Sequence, residues 1–134
     1  MAAPTGDVLP IHVDSDVVLV RQRVRIRATE LGFSLVDQTK IVTAASELAR
    51  NVVVHGGGGS VRIEVVTNGA HKGLKLTFED EGPGIADVSL AMRDGYSSSG
   101  GLGLGLSGAK RLSNEFEISS VAGRGTRVSI ARWK

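Results

Sequence analysis

Apolar residues recur along this chain with two periods, and the changes between them mark the elements. Val8, Leu9, Ile11 and Val13 predict a first strand. Pro10 confines that strand to a sheet edge, because proline cannot donate to a ladder. Asp14, Ser15 or Asp16 can cap a helix from about Val17 to Leu31, with Gly32 as its C′ glycine. Ser34 can cap a second helix, from about Leu35 to Val54. Its apolar face carries Ile41, Ala44, Ala45, Leu48 and Val52 at helical spacing. Glu47, Asn51 and His55 form a polar ridge beside that face at i, i+4, i+8. The run Gly56-Gly57-Gly58-Gly59 ends the helix.

The period then changes to two. Val61, Ile63 and Val65 alternate with Arg62 and Glu64, and Leu74, Leu76 and Phe78 alternate with Lys75 and Thr77. Asn68-Gly69 supports a turn, in a connection expected to be longer than a two-residue hairpin. Asp87 to Arg93 suggest a short helix, and Leu106 to Leu112 another. Glu115 to Val121 and Thr126 to Trp133 form a closing hairpin around Ala122-Gly123-Arg124-Gly125. This order predicts a two-layer α/β sandwich, its sheet largely antiparallel and its helices on one face. Residues 1–134 read as one domain, with a loose start over residues 1–6 and the possible first strand the least defined part.

Composition narrows the partners. Aromatics make up only 4%, so the core must be built from Val, Leu, Ile and Ala. Net charge is +2, with basic and acidic residues interspersed, and no aromatic interleaving suggests nucleic acid. Arg21, Arg23, Arg25 and Arg27 spread over more than one face of the first helix. A solvated surface is the default for them, and a partner-binding surface the alternative. There is no cysteine, which suits a reducing cytosol, and no signal peptide or long apolar run. A cytoplasmic protein without membrane contact is expected.

Candidate chemistry centres on Ser97-Ser98-Ser99-Gly100-Gly101-Leu102-Gly103-Leu104-Gly105-Leu106. A glycine loop running into a helix presents free N–H groups, which suits phosphate. By itself the loop equally suits a flexible surface segment. Gly103 to Gly108 also fits G-x-G-x-x-G, but too little chain follows for a dinucleotide-binding βαβ unit. No Gly-Lys-Ser/Thr occurs, which excludes a P-loop. Asp80, before Gly82 and Gly84, can accept a hydrogen bond from adenine's amine while the glycines let the base approach; it also suits a plain turn. Asn51 offers a neutral oxygen to Mg²⁺, which takes few protein ligands besides phosphate and water. Glu47, one turn earlier, can take a proton from an attacking hydroxyl, or stand as a solvated helix glutamate.

Together these motifs resemble the GHKL family of ATP-binding domains, which share the Bergerat fold. Glu47-Leu48-Ala49-Arg50-Asn51 looks like its N box, Asp80-Glu81-Gly82-Pro83-Gly84 like its D-x-G-x-G box, and Gly101-Leu102-Gly103-Leu104-Gly105 like its glycine box. Gly123-Arg124-Gly125-Thr126 looks like its last box, whose threonine helps hold the adenine end. Histidine kinases of the family usually carry lysine three residues after the Asn, where this chain has Val54. From about Asp16 onward the chain is similar to bacterial anti-sigma-factor serine kinases of the RsbT switch type. The similarity is carried by Ser46 to Asn51, Asp94 to Gly103, Lys110-Arg111-Leu112, Glu115-Phe116 and Ser120 to Gly123.

The resemblance implies a serine/threonine-protein kinase using ATP and Mg²⁺. Its substrate would be a STAS-domain antagonist, and its partners would include the scaffold proteins of a stressosome. Once released, such kinases bind and activate a PP2C-type phosphatase. Asn51 would hold the metal, Gly100 to Gly105 the phosphates, and Glu47 would act as base. An adaptor or anti-sigma factor acting mainly by nucleotide-gated docking is the alternative, and it would need no base at Glu47.

Overall fold

The structure, a computed structural model, describes residues 6–84, 92 and 105–134. Among the described residues five strands form one sheet in the order β1-β2-β3-β5-β4: β1 (Asp7–Ile11), β2 (Gly59–Asn68), β3 (His71–Asp80), β4 (Glu115–Val121) and β5 (Gly125–Trp133). All four pairings are antiparallel. Helices α1 (Asp14–Glu30), α2 (Leu35–Val54) and α3 (Gly105–Arg111) complete the described elements. The helix suggested over Asp87 to Arg93 lies outside the described residues, apart from residue 92.

The core forms where alternate strand residues meet the helices. Val61, Ile63, Leu74, Leu76, Phe78, Val128 and Ile130 are buried with Val20 and Val24 of α1 and Ile41, Leu48 and Val52 of α2. Burying each such side chain contributes roughly 1.5–3 kcal/mol relative to exposure. The intervening strand positions carry Arg62, Glu64, Lys75 and Arg127, the alternation expected of a sheet covered on one face. Pro10 sits on edge strand β1, as its missing N–H requires.

Several boundaries differ from the sequence expectation. Helix α1 starts at Asp14, and its cap comes from inside the first turn. Asp16 Oδ2 accepts the N–H groups of His12 (2.8 Å) and Val13 (3.2 Å), and these bonds hold the Asp16 carboxyl below the usual carboxylate range. The β2–β3 connection is tighter than expected. The strands run to Asn68 and His71, which pair, so Gly69-Ala70 is the whole turn. Gly69 has φ 63° and Ala70 does not enter the left-handed region, the order of a type II′ turn with glycine first. Ser34 caps α2 as expected, its Oγ accepting the Asp37 N–H at 3.1 Å.

Arg132 of β5 ties three elements together. It donates to Asp37 Oδ1 of α2 at 2.8 Å and to the Leu112 carbonyl just past α3 at 2.9 Å. The Arg132 hydrogen bond holds the Asp37 carboxyl below its ordinary value. A depressed folded-state pKa stabilises the fold above the unfolded pKa, and that stabilisation is lost as pH falls through the folded one. Asp37→Asn is therefore expected to lower the urea midpoint at neutral pH. The gap to wild type should close below about pH 4. A gap independent of pH would show that the charge on Asp37 contributes nothing.

Candidate functional site

Two clusters form where the chain leaves its regular elements. The first surrounds Asp80 at the end of β3. The Gly82 N–H donates to Asp80 Oδ1 at 3.0 Å, so the carboxylate is turned toward its own following backbone. Helix α2 ends at Val54, and the chain then presses buried Gly56 onto this carboxyl group. A Cβ on Gly56 would lie 2.5 Å from Asp80 Cγ, and one on Gly82 would lie 2.7 Å from the Gly56 carbonyl oxygen. Only hydrogen fits at Gly56 against this carboxyl group and at Gly82 against the Gly56 backbone.

Strand β5 closes the other side. Thr126 lies opposite Asp80 in the β3–β5 register. Its hydroxyl is 2.9 Å from Ser120 Oγ of β4, and Ser120 also donates to the Gly125 carbonyl at 3.1 Å. Gly125 has φ 101°, and a Cβ there would run into the Asp80 carbonyl. Gly84, at φ 74°, packs against the Val121 carbonyl in the same way, and the Gly123 N–H reaches the Pro83 carbonyl at 2.6 Å. The Asp80–Gly84 segment is thereby docked on the β4–β5 turn.

The second cluster is built on α2. Glu47 and Asn51 are one turn apart and half-buried, flanking buried Leu48 and Val52. The first residue of α3 meets Asn51: a Cβ on Gly105 would stand 3.3 Å from Asn51 Nδ2 and 3.4 Å from Oδ1. The end of the glycine run thus meets the polar ridge of α2. Gly100, Gly101, Leu102, Gly103 and Leu104 lie outside the described residues.

Residues 36–134 match the family described as "Histidine kinase-, DNA gyrase B-, and HSP90-like ATPase". The chain belongs to this ATPase family. It is 51% identical to "Serine/threonine-protein kinase RsbT" of Bacillus subtilis (strain 168) over 123 residues, 92% of each chain. It is 32% identical over 110 residues to the "Anti-sigma F factor" of Clostridium kluyveri (strain NBRC 12016), covering 78% of this chain and 76% of that one. The fold matches the "Mycobacterial sensor histidine kinase MprB" with a TM-score of 0.57 at 18% identity, over 92% of this chain and 95% of that one. Among the described residues of this chain no helix is long and apolar enough to cross a membrane.

Two residues of the Asp80 cluster carry no local signal for their place in it. In the sequence Gly56 marks only the end of a helix, yet its missing Cβ is what admits the Asp80 carboxyl. The length of the glycine run is the only hint, since ending a helix needs only one glycine. In the sequence Ser120 stands only within the Ser120 to Gly123 motif. No local pattern shows that its hydroxyl meets that of Thr126.

Proposed function

We propose that this chain is an ATP-dependent serine/threonine-protein kinase of a bacterial partner switch. Its substrate is a STAS-domain antagonist of a stressosome, and it activates a PP2C-type phosphatase by binding. Residues 1–134 act as one cytoplasmic kinase domain. The meeting of Gly105 with the Asn51 amide carries this function: it sets the start of α3 beside the N box, with Glu47 one turn away. The 51% identity to a named serine/threonine-protein kinase supports it.

The residues suit ATP carried in with Mg²⁺. Among the described residues no group of three His, Cys, Asp or Glu could hold a metal by itself. One neutral amide oxygen, as on Asn51, is a fitting protein ligand for a cation that keeps phosphate oxygens and water. Bound MgATP supplies the transferable phosphoryl group and the charge neutralisation it needs. Asp80 accepts from the adenine amine, oriented by the Gly82 N–H, and Gly82, Gly84 and Thr126 shape the adenine end. Gly100, Gly101, Leu102, Gly103, Leu104 and Gly105 hold the phosphates. Glu47 takes the proton of the substrate hydroxyl.

Gly56→Ala tests the adenine end. The added methyl must displace the Asp80 carboxyl, and overpacking of this kind typically costs about 1–3 kcal/mol. Calorimetry should show ATP affinity reduced about tenfold or more. Unchanged affinity in a folded variant would detach Asp80 from the nucleotide.

The function itself is tested by incubating the pure protein with radiolabelled ATP, Mg²⁺ and a purified STAS-domain protein. Label on a serine or threonine is expected, and only when the kinase is present. Tight ATP binding without transfer would favour the adaptor, for which the 32% identity to an anti-sigma factor speaks.

A further inference from the structure

Helix α1 carries two stripes. Val17, Val20, Val24 and Ala28 are buried. One residue further on, Val18, Arg21, Gln22, Arg25, Ile26 and Thr29 recur at i, i+3, i+4, i+7, i+8, i+11 and line a groove with Val42 of α2, about 700 Å³ in volume. A purely solvated stripe would be polar throughout. Here Val18 is 48% and Ile26 51% exposed. The stripe spans about 16 Å, or three helical turns.

The four arginines of α1 divide between two environments. Arg27 and Arg23 turn to Asp7 of β1, at 2.7 and 3.6 Å. Arg21 and Arg25 face the groove. Arg25 donates to a neutral partner, Gln38, at 3.3 Å, and among the described residues no carboxylate pairs with Arg21. The carboxylate lining the groove, Glu30, is held by Arg27 at 2.7 Å. The groove therefore sets the apolar Val18, Ile26 and Val42 among polar side chains, and among the described residues no carboxylate offsets Arg21 or Arg25.

We propose that the α1–α2 groove docks an acidic amphipathic helix of a partner protein. The valley between two packed helices accepts a third, whose apolar i, i+3, i+4, i+7 positions meet Val18, Ile26 and Val42. Flanking carboxylates pair with Arg21 and Arg25, while the arginine stems add apolar contact. Val42 is about two and a half turns from Asn51 and on the opposite side of α2. Docking here therefore leaves the nucleotide residues uncovered. The inference does not depend on the kinase activity.

The probe is a labelled synthetic helix of about sixteen residues, with leucine at i, i+3, i+4, i+7 and glutamate beside them. A second peptide carries lysine in place of every glutamate. Anisotropy titration against the full chain should show the glutamate peptide binding and the lysine peptide at least about tenfold weaker. The double variant Arg21→Glu, Arg25→Glu should reverse that preference. Ile26→Asp should weaken both peptides. Amide shifts on binding should map to Val18 through Thr29. Should the double reversal melt early, Arg21→Gln with Arg25→Gln should abolish the preference without reversing it. ATP titration of each variant should match wild type, which separates failure here from failure of the nucleotide site. Equal binding of both peptides, no binding, or insensitivity to both pairs of arginine variants would overturn the proposal. So would sedimentation showing a dimer that Ile26→Asp dissolves, since a second copy would then occupy the groove.

Discussion

Asp80→Asn is expected to weaken ATP binding roughly ten- to a hundred-fold while leaving the fold intact. The Gly82 N–H needs an acceptor, and an asparagine would keep its oxygen there. The amide nitrogen would then face the adenine amine, donor against donor. Hydrogen bonds to charged groups are worth about 1.5–3 kcal/mol, and a mismatched pair forfeits that contribution. The fold should survive because the strand pairing of Asp80 with Gly59 and Thr126 uses backbone. Calorimetry with ATP, paired with thermal melting, measures both quantities. A folded variant with wild-type affinity would refute the adenine contact.

Glu47→Gln should bind ATP and partner proteins nearly as wild type does, yet transfer phosphate far more slowly. Glutamine keeps the size and the helix propensity of the residue, so α2 and its buried face should be undisturbed. It cannot accept the substrate proton, and general base catalysis is worth ~10²–10⁴ in rate. The loss is expected toward the lower end, because a loose phosphoryl-transfer transition state asks less of a base. Asn51→Ala should behave differently, losing Mg²⁺-dependent affinity as well as rate. Single-turnover assays beside binding titrations separate the two. Wild-type rates from Glu47→Gln would remove Glu47 from the chemistry. Matching losses of affinity and rate would make it structural.

The sequence by itself determined what depends on neighbours along the chain. The stripe from Ile41 to Val52 made α2, the Ser34 hydroxyl began it, and the alternations at Val61–Val65 and Leu74–Phe78 made β2 and β3. The two-layer antiparallel architecture followed from the order of those elements. The motifs resembling the GHKL boxes were legible for the same reason, since each is a short run with fixed spacing. Tertiary structure decided what depends on distant partners. Insertion of β5 between β3 and β4 placed Thr126 against Asp80 and brought Ser120 to its hydroxyl. Register carried β2 and β3 through to a two-residue turn that Asn68-Gly69 alone did not specify. The arginines of α1 looked alike in sequence, and only the position of Asp7 separated the paired Arg23 and Arg27 from the groove-facing Arg21 and Arg25. Gly56 gained its role from the approach of the Asp80 carboxyl. Helix and strand periods arise from contacts a few residues apart, whereas sheet order, ion pairing and backbone approach join segments that meet only once the core has closed.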